Sequence, residues 1–163
     1  MNLTLETRDL TLADVPGLMW AGGQTHLNAV AKEIGRIGDA EYVGVFLPSG
    51  RCVGKAGITY TEAPDAGVIW QVAVHPVLQS CGVGAHVMRE AEKRISARGL
   101  AWAQLGVEIS NPRAQALYER LGYQAIRTED SAWDQEREDG TIFRYETVLT
   151  IMRKPLGGEG SQG

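Results

Sequence analysis

Apolar residues recur with short periods in several stretches of the chain, and each of these stretches predicts a β-strand. Residues 3–8 alternate apolar and polar side chains, as a half-buried first strand does. Residues 41–47 and 51–60 are β-rich runs joined by a Pro-Ser-Gly turn, which is typical of a hairpin. Residues 68–74 are almost continuously apolar, which predicts a central strand covered on both faces.

Helical periodicity occurs between these strands. Thr11 stands three residues before Asp14, as in a capping box, and Pro16 fits only near the start of a helix that begins there. Residues 24–37 place their apolar side chains on one helical face. Residues 82–98 repeat apolar side chains at four-residue spacing, which predicts a long helix with one buried face.

The C-terminal third of the chain predicts three more strands and one helix. Residues 101–109 form a further strand, and residues 111–121 form a helix. Residues 123–128 and 143–152 close the domain as strands, and residues 129–140 between them are expected as a polar, acidic excursion.

The predicted order of elements is β-α-α-β-β-β-α-β-α-β-β. Antiparallel hairpins come first and a βαβ crossover follows, which predicts an α/β (α+β) fold with one mixed, mostly antiparallel, twisted sheet of about six to seven strands and helices on both faces. We expect one domain over residues 1–156 and a flexible, Gly-rich tail over residues 157–163. The C-terminal strand is expected to be an edge open to pairing, so a homodimer is one expectation.

Composition narrows the class of protein. The 163 residues are 44% hydrophobic and 22% charged, as in an ordinary globular domain. No apolar run approaches a membrane span, and the N-terminus lacks the pattern of a signal peptide, so a cytoplasmic protein is expected. Two cysteines cannot form a zinc cluster, so no metal is expected. A net charge of −4 without a basic block argues against nucleic acid and slightly favours a cationic substrate.

Residues 72–85 contain the first candidate site. The predicted central strand ends in a short loop with Gly82 and Gly84, and that loop leads into a long helix. The first N–H groups of a helix have no intrahelical partner, and the helix dipole places partial positive charge there. Glycines let the backbone approach a bulky phosphate, so the loop predicts an anion-binding site. The additional residues of a Rossmann or Walker A site are absent from the sequence.

Residues 111–123 contain the second candidate site. Asn111 before Pro112 predicts a helix N-cap with proline at the first helical position. Ala114 belongs to the buried stripe of that helix, and Tyr118 lies beside the stripe one turn further on.

These two segments carry a resemblance to a known family. Gln79-x-x-Gly82-x-Gly84 resembles the Gln/Arg-x-x-Gly-x-Gly/Ala signature with which the GNAT superfamily of N-acetyltransferases binds the pyrophosphate of coenzyme A. The segment after Asn111, with its Ala, Leu-Tyr and Gly-Tyr, resembles the second motif of the same superfamily. The two motifs occur in the family's order, with one βα unit between them.

The resemblance implies an acetyl-coenzyme A-dependent N-acetyltransferase. Its acyl thioester would lie in a cleft where strands 68–74 and 101–109 splay apart. Tyr118 would protonate or hydrogen-bond the leaving thiolate, a general-acid role suited to a phenol of pKa about 10. The implied cofactor-binding residues are Val72, Val74, Gln79, Ser80, Gly82, Val83, Gly84, Ala85, Asn111, Ala114 and Tyr118.

The sequence leaves the general base open. A primary amine has a pKa of about 10.4 and must lose a proton before it attacks. Val68 and Gln71 occupy places that are often acidic in relatives, and Gln71 is interpreted as aligning a water that carries the proton outward. Trp20 and His26 are candidate substrate contacts, although Trp20 fits the core equally well. Other candidate bases, which also fit solvated surface groups, are Glu108, His75, Glu62 and His26.

Three functions follow from the resemblance. The first is an acetyltransferase for a small amine, the second acts on a protein N-terminus or lysine, and the third is a non-catalytic acyl-coenzyme A sensor. Ribosomal-protein alanine acetyltransferases carry Glu twelve residues before the tyrosine, where this chain has Gly106, which argues against that activity. A flat acceptor groove favours a peptide, whereas a closed pocket lined by acidic residues 129–140 favours a small cation.

Overall fold

A computed structural model describes residues 4–36, 38–79 and 81–157 of the chain. The strands are β1 Glu6–Asp9, β2 Ala40–Phe46, β3 Cys52–Thr59, β4 Ala66–Val74, β5 Trp102–Glu108, β6 Gln124–Glu136 and β7 Ile142–Pro155. The helices are α1 Gln24–Ile34, α2 Val83–Ala97 and α3 Pro112–Arg120, with 3₁₀ segments at Leu12–Ala21 and Pro76–Leu78.

The seven strands form one mixed sheet in the order β1-β2-β3-β4-β5-β7-β6. The pair β4–β5 is parallel and every other neighbouring pair is antiparallel. The predicted fold class is therefore confirmed. The expectation that the C-terminal strand is an edge was wrong, because β7 pairs with β5 on one side and with β6 on the other.

The two faces of the sheet carry different layers. Helix α2 packs on one face, where Gly54 and Gly67 let it approach closely. A Cβ on Gly54 would lie 2.8 Å from Val83 Cγ1, and one on Gly67 would lie 2.5 Å from Ile95 Cγ1. Helix α1 and the 3₁₀ segment Leu12–Ala21 cover the opposite face.

The predicted excursion at residues 129–140 was wrong, because β6 continues as a strand to Glu136. This edge strand is exposed over most of its length, so it lacks the alternation of apolar and polar side chains that marks a half-buried strand. Its order comes from backbone pairing with β7 and from cross-strand contacts. One such contact joins Trp133 to its register partner Tyr145, with ring centroids 5.2 Å apart.

The segment before α1 also differs from the expectation. It forms 3₁₀ turns with a break at Leu18 instead of a regular α-helix. Pro16 lies inside the segment, and its ring and missing N–H disfavour a continuous α-helical ladder. The predicted capping interaction is present, because the Thr11 N–H donates to the Asp14 carboxylate at 2.8 Å.

Two further expectations concern the chain as a whole. Of the predicted tail at residues 157–163, residues 158–163 lie outside the described residues. Within the described residues, no helix combines the length and apolar character that a membrane span requires.

Candidate active site

The parallel strands β4 and β5 separate partway along their length. They pair from Ala66↔Trp102 to Ile69↔Leu105. Beyond that point residues 106–108 of β5 pair with β7, whereas Trp70, Ala73 and Val74 of β4 pair with β3. No pairing between β4 and β5 is found there among the described residues. A cleft therefore opens between the carboxyl halves of the two central strands, with unpaired strand edges along both sides.

A β-bulge lies where the cleft opens. Gly57 pairs with Trp70, whereas Lys55 pairs with Ala73, so β4 has one residue more than β3 at this point. Gln71 has φ 53°, in the left-handed region that a residue with a side chain rarely adopts. The extra residue resets the alternation of β4, so Val74 faces α2 near Gly84 while Gln71 faces the α1 side.

Two buried side chains hold Gln71 in place. The Tyr42 hydroxyl donates to Gln71 Oε1 at 2.7 Å. Lys55 Nζ donates to the Tyr42 hydroxyl oxygen at 2.9 Å and to the Gln71 backbone carbonyl at 2.8 Å. The carbonyl at the bulge thus has a side-chain donor as its partner.

The position of Lys55 was not predicted from the sequence. Its side chain is completely buried in β3, and this burial lowers the pKa of its amine to about 7. A usable signal did exist, since Lys55 is the one charged residue inside the otherwise apolar or small run Cys52–Thr59. A charge at that point of a buried strand contradicts the hydrophobic pattern and marks a candidate functional position.

The predicted phosphate-binding loop lies at the N-terminus of α2. Gly82 is the N-cap in the left-handed conformation, φ 86°, and no side chain caps the helix there. Among the described residues a Cβ on Gly82 would meet nothing within 4 Å. The first N–H groups of a helix without a side-chain cap suit an anion such as a pyrophosphate. Gln79 is exposed, and its amide nitrogen lies 3.4 Å from the Val74 carbonyl. Ser80 lies outside the described residues.

Helix α3 carries the second motif. Asn111 caps it as predicted, because its side-chain oxygen accepts the Ala114 N–H at 3.1 Å. Tyr118 is half-buried against Tyr123, with the rings edge-on and their centroids 6.1 Å apart. Burial raises the pKa of the Tyr118 phenol, so the hydroxyl keeps its proton at neutral pH. No hydrogen bond from that hydroxyl is found among the described residues.

Trp20 and His26 lie on the α1 side of the sheet, together with Gln71. The Trp20 ring lies 5.4 Å from the ring of His75 at the end of β4, which brings the 3₁₀ segment to the open end of the cleft. Trp20 Nε1 and His26 Nε2 are buried without a hydrogen-bond partner among the described residues. Burial, followed by the charge of Lys55, lowers the pKa of His26 to about 4, so this imidazole is neutral at pH 7.

Each of the remaining candidate bases has a hydrogen-bond partner. Glu108 accepts hydrogen bonds from the hydroxyls of Tyr145 at 2.6 Å and Thr147 at 3.0 Å. Glu62 lies near the first residues of β4, beside the paired end of β4 and β5. His75 Nδ1 accepts a backbone N–H at 3.3 Å. In the described ranges no group of three or more His, Cys, Asp or Glu residues is placed to bind a metal ion.

The end of β6 reaches helix α1, a contact that the sequence did not predict. Glu136 Oε1 accepts the Thr25 N–H at 3.2 Å in the first turn of α1. The N-cap of that helix is Gly23, which has no side chain to do this, and a Cβ there would lie 2.8 Å from the Glu136 carboxylate. The β6–β7 hairpin is thereby linked to helix α1 and to the face of the sheet that α1 covers.

An open mixed sheet with a splayed parallel pair and a glycine-containing strand–helix loop beside it defines an acyl-coenzyme A N-acyltransferase fold. A sequence model of the Acetyltransferase (GNAT) family matches residues 17–123, which is more than half of the chain. The chain therefore belongs to the GNAT acetyltransferase family, and the predicted class, an acetyl-coenzyme A-dependent N-acetyltransferase, is confirmed.

Solved structures share the fold. A ribosomal-protein-alanine N-acetyltransferase from Escherichia coli is 22% identical with a TM-score of 0.72, covering 96% of this chain and 97% of that one. A spermidine N-acetyltransferase chimera from Vibrio cholerae is 16% identical with a TM-score of 0.71, covering 93% and 95%. The PaiA N-acetyltransferase from Thermoplasma acidophilum, in complex with coenzyme A, is 16% identical with a TM-score of 0.67, covering 94% and 99%.

Proposed function

We propose that this enzyme transfers the acetyl group of acetyl-coenzyme A to the amine of a small molecule by direct attack in a ternary complex. The observation that carries the proposal is the cleft between β4 and β5, with the uncapped N-terminus of α2 beside it and the unpaired hydroxyl of Tyr118 on the neighbouring helix α3. The bound cofactor supplies an acetyl thioester, which the acceptor nitrogen attacks.

The residues at the cleft suit each part of that cofactor. The unpaired edge of β4 at Val72 and Val74 binds the pantetheine arm as an added strand would. The N–H groups from Gln79 to Ala85 bind the pyrophosphate at the start of α2. The side-chain oxygen of Asn111 accepts the hydrogen bond that caps α3. Its amide nitrogen is therefore the group that contacts the pantetheine arm.

Tyr118 acts as the general acid. Its raised pKa keeps the phenol protonated, and its hydroxyl is free of protein partners among the described residues, so it can donate to the leaving thiolate. On the other side of the cleft Gln71 aligns a water, through which the proton of the incoming amine passes outward to the solvent. The water takes this role because the carboxylates considered as bases are engaged or distant.

The contact between Glu136 and α1 favours a small acceptor over an extended peptide. It joins the end of β6 to the first turn of α1, the helix on the face that carries Trp20, His26 and Gln71, and such a link leaves less room for an extended chain there. Gly106 at the place of a family glutamate argues in the same direction. A protein N-terminus or lysine is the alternative acceptor, and its activity is the second outcome of the test below.

The test is thiol release from acetyl-coenzyme A against a panel of small amines and short peptides, with cofactor binding measured separately by calorimetry. Saturable turnover of a small amine is the expected result. Turnover restricted to peptides would replace the small-molecule proposal with the protein one. Cofactor binding without turnover of any acceptor would contradict the proposed reaction.

A further inference from the structure

Lys55 lies where a charged side chain is rarely found. It has no exposed surface, and its hydrogen bonds among the described residues go to a hydroxyl and a backbone carbonyl, with no carboxylate. Lysine is almost never fully buried without an acidic partner, because loss of hydration is costly. A hydrophobic side chain would satisfy the fold, so the position points to a function.

The hydrogen bonds of Lys55 determine which end of the Gln71 amide faces Tyr42. An ammonium group only donates, so the Tyr42 oxygen accepts from Lys55 and sends its own proton to Gln71 Oε1. The oxygen of the Gln71 amide therefore already has a hydrogen-bond partner, the Tyr42 hydroxyl. The nitrogen of the same amide makes no hydrogen bond among the described residues. It is not one of the buried unpartnered atoms there, so it is not fully buried. Gln71 thus offers two N–H donors on the acceptor side of the cleft.

Two indole rings on the same side of the sheet carry further hydrogen-bond donors. Trp70 precedes Gln71 in β4, with its ring 6.4 Å from that of Tyr42, and Trp20 lies near the end of the same strand. The Nε1 atom of each is buried without a partner among the described residues. An indole nitrogen only donates, so neither ring adds an acceptor atom on this side.

We infer that Lys55 is a positioning residue, which through Tyr42 turns the Gln71 amide nitrogen toward the acceptor, so that the enzyme prefers amines carrying a carboxylate or carbonyl oxygen beside the reacting nitrogen. This inference rests on the proposed function and specifies its substrate class as α-amino acids or their α-amides. One Gln71 N–H binds that oxygen, and the other remains for the water that receives the proton. An amine without the oxygen leaves a donor unsatisfied, which weakens its binding.

The test compares paired probes that differ only in this oxygen. Lysine and cadaverine, tyrosine and tyramine, and tyrosine amide as the carbonyl form are titrated by calorimetry into the coenzyme A-bound protein at pH 6, where Lys55 is charged. The same probes are then assayed for thiol release with acetyl-coenzyme A. The ratio of affinities within a pair comes from one protein sample, so a fraction of unfolded protein does not change it.

Three variants separate positioning from structure. The wild-type protein is expected to bind the oxygen-bearing member of at least one pair about tenfold more tightly or better. Tyr42→Phe and Lys55→Met reduce that ratio toward one, because the Gln71 amide is then free to turn. Gln71→Glu inverts it, because a carboxylate replaces the donors. Tyr60→Phe is the matched control, since its hydroxyl is also buried but packs against the α2-side core, and it keeps the wild-type ratio.

The outcomes of the two assays are distinguishable. Equal or weaker binding of the oxygen-bearing member in every pair overturns the inference, even where thiol release supports the proposed function. A wild-type ratio in both Tyr42→Phe and Lys55→Met also overturns it. A preference that these variants abolish supports the inference, and an absence of thiol release alongside it would contradict only the proposed reaction.

Discussion

At the scale of single residues, Tyr118 is the most direct test of the chemistry. Its hydroxyl has no protein partner among the described residues, so its removal by Tyr118→Phe leaves no buried group unsatisfied. The expected result is a fall in kcat of about 100-fold, the low end for general acid catalysis. Affinity for acetyl-coenzyme A should remain near the wild-type value. Steady-state thiol release and calorimetry measure the two quantities.

Tyr123→Phe is the matched control for that substitution. Its hydroxyl donates to Glu92 at 2.7 Å within the core, so the loss of this bond should lower the free energy of unfolding by about 1 kcal/mol. Turnover by the folded control should remain near the wild-type level. Wild-type turnover in Tyr118→Phe would instead remove this tyrosine from the reaction.

The positions of residues in local motifs could be predicted from the sequence, whereas contacts between separate strands could not. Gly82, Asn111 and Tyr118 have meaning in their own loop or helix, where spacing is readable. Lys55 and Gln71 meet only because β3 pairs with β4 and a bulge turns Gln71 toward the α1 side. The bulge occurs within residues 68–74, an almost continuously apolar run that contains no glycine, so no turn signal marks it.

At the scale of elements, the start of α2 provides a test of phosphate binding. A Cβ on Gly84 would meet only Val74 Cγ2, at the ordinary contact distance of 3.6 Å. Gly84→Ala should therefore fold and bind coenzyme A, and alanine also favours a helix. Gly84→Val adds bulk at the start of α2, where we propose that the pyrophosphate binds, and its affinity for coenzyme A should fall about tenfold or more as N–H contacts to a charged group are lost.

The comparison of the two Gly84 variants by calorimetry and by thermal unfolding separates binding from folding. Gly82 does not offer this comparison, because its φ of 86° strains any residue with a side chain. Equal coenzyme A affinity in the alanine and valine variants would place the pyrophosphate away from α2.

The link between β6 and α1 gives a second prediction at this scale. Glu136 supplies the N-cap contact that Gly23 cannot, so Glu136→Ala should lower the free energy of unfolding by about 1 kcal/mol. Urea denaturation measures the change. Glu138→Ala is the control, because Glu138 is exposed two residues further on, in the turn between β6 and β7. If both variants lose the same stability, Glu136 does not cap α1.

Strand β6 also shows why part of the fold escaped prediction. Pattern analysis detects a strand when one of its faces is buried, and the buried strands β2 to β5 were found within a few residues. Residues 129–136 are mostly exposed, and backbone pairing with β7 is what orders them. Backbone pairing leaves little trace in the side-chain sequence, so the acidic composition of residues 129–140 predicts a polar excursion instead of a strand.

At the scale of the whole molecule, the buried groups beside the cleft couple stability to pH. Lys55 has a folded pKa of about 7 against an ordinary value of 10.5, so the unfolded chain binds more protons than the folded one between these values. Stability therefore rises with pH across this window, by up to about 1.4 kcal/mol per pH unit. His26, with a folded pKa of about 4, has the same sign between pH 4 and its ordinary value of 6.5.

The difference in unfolding free energy between the wild-type protein and Lys55→Met isolates the lysine, because the other titrating groups cancel. Urea denaturation at pH 7, 8 and 9 should give a difference that grows with pH in favour of the wild type, since the cost of burying the charged amine disappears as it deprotonates. Lys32→Met, an exposed lysine on α1, should give a flat difference. A flat difference for Lys55→Met as well would mean that water reaches Lys55 in the folded protein. The amine would then be hydrated like a surface lysine, and its hold on Tyr42 and Gln71 would be too weak to orient an acceptor.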